Sequence, residues 1–357
     1  MLQAKGYAVQ DAHSPLAPFS FERRSPGPRD VQIEILYSGI CHSDLHQARN
    51  DWHNSIYPMV PGHEIVGRVT AVGAQVTRLK VGDFAGVGCM VDSCRTCASC
   101  AEGLEQYCEN GPTYTYNSKL RDSEELAFGG YSDLIVVDEH FVVKIPPTLD
   151  LKAAAPLLCA GITTWSPLRH WKVGRTADGT PHKVGVIGLG GLGHMGIKFA
   201  KALGARVVMI TTSPSKAADA MRLGADEVLL STDRAAMKQH ARSFDFLLNT
   251  IPNGHDLNPY AALLKRDGHM VLVGVLTELD PPLFGGSLIG ARRSVAGSAI
   301  GGMPETQEMI DFCAEHGIVA DVEMIDIQSV NQAYERLLKN DVKYRFVIDM
   351  ASLKNAA

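Results

Sequence analysis

The chain has 357 residues, enough for two domains and a sizeable core. Its 45% hydrophobic and 20% charged content fits a globular protein in water, and a net charge of −5 without a Lys/Arg block points away from nucleic acid and anionic membranes. Residues 1–10 hold no apolar core behind a basic stretch and no run nears about 18 apolar residues, so a cytoplasmic chain without secretion signal or membrane span is expected.

Alternation of Val31, Ile33 and Ile35 with polar neighbours predicts a strand over residues 32–37. Residues 65–72, between Gly62 and Gly73, predict a second, and Val81-Gly82-Asp83 a turn. Short strands over 131–137 and 141–145 end at Pro146-Pro147. The first 150 residues are thus β-rich. After about Ala153 the pattern changes to strand 183–187, helix 196–203, strand 206–211, helix 215–223, strands 227–230 and 244–248, a short helix 259–265 and strand 269–275. That alternation is the mark of a doubly wound parallel sheet. Residues 285–302, rich in Gly, Ser and β-branched side chains, are expected to leave the sheet. Helices over 305–315 and 330–338 and a strand over 344–350 then return to the first domain. The expected class is α/β: a β-rich domain of residues 1–155 and 299–357, and a Rossmann domain of residues 156–298. Residues 174–182 read as an exposed loop without an assigned role.

Four of the eight cysteines fall close together as Cys94-x2-Cys97-x2-Cys100-x7-Cys108. In a long chain of this type, clustered cysteines are more often metal ligands than disulfides. Two-residue gaps let the chain wrap one ion, and four soft ligands suit structural zinc; free thiols or an iron–sulfur centre are the other readings.

Gly188-Leu189-Gly190-Gly191-Leu192-Gly193 follows a predicted strand and opens a helix. The glycines allow a tight turn and bring a pyrophosphate close to the helix N-terminus. NAD-binding chains usually place an acidic residue about 20 positions on. Here the second strand ends Thr211-Thr212-Ser213-Pro214-Ser215-Lys216, with no carboxylate to repel a 2′-phosphate. Ser213 reads as an N-cap and Pro214 as the first helical position, which puts Lys216 in the first turn. A cation is disfavoured there unless an anion binds beside it; a solvated surface lysine is the alternative.

Cys41, His63 and Cys159 lie outside the cluster, in Gly39-Ile40-Cys41-His42-Ser43-Asp44, Pro61-Gly62-His63-Glu64 and Leu158-Cys159-Ala160-Gly161. Two thiolates and an imidazole would leave zinc a Lewis acid with an open position. Spacing alone does not separate this from two buried cysteines and a surface histidine.

Further motifs bear on that choice. Gly62-His63-Glu64-x2-Gly67-x5-Gly73-x2-Val76 resembles, at every position, the signature of zinc-containing medium-chain alcohol dehydrogenases. Residues 87–108 (VGCMVDSCRTCASCAEGLEQYC) resemble the cinnamyl alcohol dehydrogenase branch, and the resemblance extends through Tyr344-Arg345-Phe346. It implies a GroES-like catalytic domain joined to the Rossmann domain, two zinc ions per chain and NADP(H). It implies that Cys41, His63 and Cys159 hold the catalytic zinc, that Glu64 can approach or replace a water ligand, and that Asp44 orients the ligand imidazole rather than merely capping a helix. Thr212 stands where the family's NAD enzymes carry Asp. The matching Thr211, Thr212, Ser213 and Lys216 would hold the 2′-phosphate. His42 and Arg345 would lie near the pyrophosphate. Thr163, with the backbone around Val273, Val275, Ser298 and Ile300, would lie beside the nicotinamide. Ser43 and His46 would relay the proton, although a loop hydroxyl and an exposed helix histidine fit the same positions.

The implied activity is interconversion of primary alcohols and aldehydes, foremost as a broad aldehyde reductase. A polyol or terpenoid-alcohol dehydrogenase, or a zinc- and NADPH-binding redox sensor without turnover, are the competing readings. Trp52, Met90, Tyr114 and Ile300 would line an apolar substrate pocket; Trp52 and Tyr114 equally suit a domain core. Residues 285–302 resemble the segment through which family members pair, which implies a homodimer.

Overall fold

The computed structural model describes residues 1–274 and 278–355. They divide into two compact units, Met1–Ile162 with Gly301–Ala357, and Thr163–Ile300. The sequence set the crossovers at 155/156 and 298/299. The first of them now falls inside the helix Ala160–His170, because the 3-10 turn Ala155–Leu158 ahead of it still packs with the first unit.

The first unit is organised by the eleven-residue strand Asp30–Ile40. Val31, Ile33 and Ile35 are 0–3% exposed, as their alternation requires. One edge of this strand pairs antiparallel with Ile65–Val72. The other pairs first with Leu134–Asp138 and then with Arg345–Asp349. Phe84–Val87, Val143–Lys144 and Val322–Asp326 complete a seven-stranded sheet. The pairing fixes where chemistry can gather. Ser38 lies opposite Ile65, and Ile40 opposite Phe346. Cys41 and Glu64, just outside those strand ends, and Arg345, the first residue of its strand, are therefore delivered to one end of the sheet.

Several elements carry too weak a period to be read from sequence. They include the hairpin of Leu2–Ala8 with Ala17–Arg23. The strands expected over 131–137 and 141–145 are shorter, Leu134–Asp138 and Val143–Lys144.

The second unit holds a six-stranded parallel sheet. Its order is Glu227–Leu230, Arg206–Thr211, Lys183–Ile187, Phe244–Asn249, Leu264–Leu272, Ser294–Gly297. Val184, Val186, Val207 and Ile210 are fully buried, as expected for a parallel sheet covered on both faces.

Two expectations are corrected here. The helix expected over 259–265 is only Asn258–Ala261; Leu264 and Lys265 already belong to the next strand, drawn in by the buried Leu263 and Leu264. Residues 285–302 do not leave the sheet. After a short helix, Gly285–Ile289, the segment Ser294–Gly297 pairs in parallel with His269–Leu272. Backbone pairing is blind to composition, and a half-exposed edge strand has no hydrophobic run to announce it. Val275, named as a nicotinamide neighbour, lies outside the described residues. No helix among the described residues is long and apolar enough to cross a membrane.

Candidate active site and metal centres

The four clustered cysteines form one lobe. The sulfurs of Cys94, Cys97, Cys100 and Cys108 all lie within 4.8 Å of one another. Backbone amides point at them: Cys94 N–H at Cys108 Sγ, Cys97 N–H at Cys94 Sγ and Glu109 N–H at Cys97 Sγ, each at 3.4 Å. The Cys94 and Cys100 sulfurs are 3.9 Å apart. A tetrahedral ion with metal–sulfur bonds of about 2.3 Å sets its ligands about 3.8 Å apart, so the lobe fits zinc. Hydrogen bonds, first from the Thr96 backbone, hold Cys94 down to about 5, whereas burial pushes Cys100 up to about 12. Four thiolates cannot share this lobe without a cation.

The second set assembles where the sheet pairing predicts. Ligand atoms of Cys41, His63, Glu64 and Cys159 lie within 4.8 Å of one another, and all four residues are buried. The Cys41 and Cys159 sulfurs are 3.9 Å apart, again the edge of a zinc tetrahedron. Their shared hydrogen bond draws Cys41 well below, and Cys159 well above, the ordinary thiol range.

Asp44 is fully buried and fastens the Cys41 and His63 loops together. Its Oδ2 accepts from Cys41 N–H at 2.8 Å; its Oδ1 accepts from Gly62 N–H and from His63 Nδ1, each at 3.0 Å. The imidazole is thereby fixed with Nε2 free to face an ion. Burial disfavours the charged form of His63, but the Asp44 carboxylate outweighs it and raises the histidine well above its usual value. A metal ion would take that proton's place.

Glu64 is also fully buried. Arg345, 3% exposed, donates from Nη2 to its Oε1 at 2.6 Å, while Oε2 has no partner among the described residues. Burial pushes the Glu64 carboxyl up to about 7 against the pull of Arg345. Arg345, which the resemblance set near a pyrophosphate, is thus engaged with Glu64 here. The orphaned oxygen beside two thiols suits a cation.

Ser43 Oγ lies 3.7 Å from Cys41 Sγ. His46, one turn on along His42–Ala48, is half-buried, and its Nδ1 pairs with Asp51 Oδ2 at 2.7 Å. Asp51 escaped the sequence reading because it lies past the helix end, in a loop with no motif. The Trp52 ring centroid is 5.7 Å from that of His46. Met90 is buried and pairs with the exposed Tyr114 in a two-stranded ribbon. His42 is half-buried, and burial lowers its pKa.

In the second unit the glycine-rich turn follows Lys183–Ile187 and opens the helix Gly191–Ala202. Gly188 has φ +93°, a conformation that favours glycine. A Cβ at Gly193 would lie 2.0 Å from the Gly188 carbonyl oxygen, so only glycine permits the close turn. Gly190 faces open space, and Leu192 is half-buried. Lys216 reaches back to this turn and donates from Nζ to the Leu189 carbonyl at 2.8 Å. Burial lowers its pKa. Thr211 is buried and accepts from Ser213 N–H at 3.2 Å; Thr212 is exposed.

The expected cap is corrected. Ser213 makes no side-chain cap bond; its hydroxyl meets Ser215 Oγ at 2.8 Å, and Pro214–Lys216 is a 3-10 turn ahead of the helix Ala217–Leu223. Thr163 is buried near the start of Ala160–His170. Val273 N–H donates to Asn249 O at 3.0 Å, Ser298 N–H to Leu272 O at 3.1 Å, and Ile300 has φ +35°.

Comparison with known proteins bears directly on both units. Residues 27–147 match the alcohol dehydrogenase GroES-like domain, and residues 191–315 the zinc-binding dehydrogenase domain. Aldehyde reductase YahK of Escherichia coli (strain K12) is 56% identical over 355 residues, 99% of each chain. Among solved structures, cinnamyl alcohol dehydrogenase SbCAD4 of Sorghum bicolor superposes with TM-score 0.93 at 47% identity, over 98% of each chain. The cinnamyl alcohol dehydrogenase of Helicobacter pylori, solved with NADP(H), gives 0.89 at 42%, over 98% of this chain and 99% of that one. Identity at this level over the full length, with both zinc-type ligand sets in place, makes the chain a zinc-type alcohol/aldehyde oxidoreductase of the cinnamyl alcohol dehydrogenase-like branch of the medium-chain alcohol dehydrogenase family.

Proposed function

We propose that this enzyme reduces aldehydes, aromatic and aliphatic alike, with NADPH, and that it carries two zinc ions per chain. Zinc, when bound, supplies Lewis acidity toward a carbonyl oxygen, and the reduced dinucleotide supplies hydride. The residues do the rest. Cys41, His63 and Cys159 form the catalytic set, with Asp44 fixing the imidazole; Cys94, Cys97, Cys100 and Cys108 form the structural set. Ser43, beside Cys41, hands a proton to the product oxygen. His46, paired with Asp51, replenishes it from solvent.

The observation that carries the cofactor choice is the end of Arg206–Thr211. No carboxylate stands there, Thr212 is exposed, and Lys216 is drawn back to the Leu189 carbonyl of the glycine-rich turn. An ammonium group at that turn complements a phosphate. The H. pylori relative was solved with NADP(H), which supports the same choice. Trp52, Met90 and Tyr114 offer apolar and aromatic surface toward a substrate. The half-exposed edge strand Ser294–Gly297 offers a pairing edge for a homodimer.

The test is steady-state kinetics on cinnamaldehyde, benzaldehyde, geranial and mannitol with NADPH and NADH, alongside elemental analysis. Higher kcat/KM with NADPH on the aldehydes and about two zinc ions per chain are expected. Preference for NADH, or full activity without zinc, would overturn the proposal. Binding of NADPH without turnover of any substrate by zinc-replete protein would make the chain a redox sensor instead.

A further inference from the structure

Asp44 holds the ligand histidine, and a further group completes its surroundings. The Tyr131 hydroxyl lies 3.4 Å from Asp44 Oδ2, with both side chains fully buried. With the Tyr116 hydroxyl, it joins Cys41 N–H, Gly62 N–H and His63 Nδ1 as donors to that carboxylate. A buried carboxylate needs its lone pairs satisfied, and each donor restricts how it can rotate.

Tyr131 is itself anchored to the loop that carries His63. Its N–H donates to Pro61 O at 2.9 Å, and the N–H of Gly130 donates to Gly62 O at 2.8 Å. Its carbonyl accepts from Tyr7 N–H at 2.9 Å. Gly62, at φ +103°, leaves no room between these segments: a Cβ there would lie 2.7 Å from the Tyr131 ring and 2.9 Å from its nitrogen. The backbone of Tyr131 thus braces the Gly62–His63 turn while its hydroxyl reaches the carboxylate that orients His63.

We infer that Tyr131 is a positioning residue for the catalytic metal, holding Asp44 so that His63 Nε2 stays aimed at the ion. This rests on the reading of Cys41, His63 and Cys159 as the ligand set. Neighbouring Tyr334 supplies an internal control. It is also buried, and its hydroxyl is turned to that of Tyr131 rather than to Asp44. Loss of the Tyr131 hydroxyl breaks a bond to Asp44; loss of the Tyr334 hydroxyl breaks none to Asp44.

The experiment compares full-length wild type, Tyr131→Phe, Tyr334→Phe, Asp44→Asn and the Asp44→Asn/Tyr131→Phe double variant. Zinc affinity is read by competition with a chromophoric chelator, and ligand geometry by the visible spectrum of protein carrying cobalt(II) at the catalytic site. Because the contact is long, Tyr131→Phe should weaken the more labile ion by about tenfold, the low end for groups that support a metal ligand. It should shift the cobalt bands and lower kcat more than it raises KM. Tyr334→Phe should match wild type in both metal readouts, and Tyr131→Phe should add nothing in the Asp44→Asn background.

Wild-type affinity and spectrum for Tyr131→Phe would overturn the inference. So would an equal loss in Tyr334→Phe, which would make the effect one of packing, or additive losses in the double variant. The ligand assignment fails separately. If Cys159→Ser keeps the full wild-type metal content with an unchanged cobalt spectrum, both the assignment and this inference fall.

Discussion

At the scale of single residues, the cofactor segment and the proton path give separable predictions. Thr212→Asp puts a carboxylate where a 2′-phosphate would sit, so NADPH KM should rise and preference should move toward NADH. Lys216→Ala removes the ammonium beside Leu189 O and should raise the NADPH KM with little change for NADH. Both are read from kcat/KM for the two cofactors, and equal effects on both would refute a phosphate role. Ser43 stands next to Cys41, whereas His46 is half-exposed and bound to Asp51. Ser43→Ala should therefore cut kcat by about 10²–10⁴-fold in both directions, and Ser43→Thr should keep most of it. His46→Gln should cost less, because water can replace an outer base, and added buffer base should restore part of the loss. Near-wild-type rates for Ser43→Ala would show that the proton takes another route. The cysteines, His63 and Glu64 that gather in the two clusters were legible in sequence through the cysteine spacing and the family signature. Asp51 and Tyr131 were not: one acts from a loop past a helix end, the other through a hydroxyl whose acceptor lies far off in the chain.

At the scale of elements, the cysteine lobe is tied to the helix Met303–His316. Glu105 Oε2 accepts from Met303 N–H at 2.9 Å, and its Oε1 meets His140 Nε2 at 2.7 Å. A carboxylate at a helix N-terminus satisfies an orphan amide and complements the dipole. Cys97→Ser should thus lose one metal ion and destabilise the lobe, whereas Cys159→Ser should leave the fold largely intact and abolish turnover; zinc content and thermal melts separate the two. Burial pushes the Glu105 carboxyl up, but the His140 and Met303 bonds outweigh it, and its folded pKa lies below the ordinary 4.5. The unfolded chain then binds the proton more tightly. This stabilisation is present above about pH 4.5 and fades as pH falls through the folded value. Glu105→Gln should flatten the acid limb of Tm against pH, and an unchanged limb would show that the carboxylate's charge is irrelevant there. Strands with continuous buried apolar runs were read from sequence to the residue, Lys183–Ile187 and Arg206–Thr211 among them. Those held by backbone pairing alone, such as Ser294–Gly297, were not, because hydrogen bonding across a sheet edge leaves no mark on side-chain pattern.

At the scale of the whole molecule, the six-stranded sheet raises the question of what covers its last strand. Among the described residues, Ser294–Gly297 pairs on one side only, and its own residues are half-buried or exposed. A bare edge of this kind templates association unless it is short, charged or covered. Just ahead of it stand Phe284 and Ile289, 69% and 85% exposed, on or beside the short helix Gly285–Ile289. Apolar side chains flanking an open strand edge suit a two-fold contact in which one strand meets its own copy. The proposed homodimer therefore predicts a specific weakness. Ile289→Lys places a charge in that contact without disturbing a buried side chain, so the protomer should keep its melting behaviour and its zinc. Its mass by light scattering should fall to that of one chain at concentrations where wild type is paired. A substitution at the exposed Val81, far from the strand in sequence, should leave wild-type pairing unchanged. If wild type itself runs as a single chain, the edge is protected by its shortness alone; if Ile289→Lys stays paired, the protomers meet through another surface.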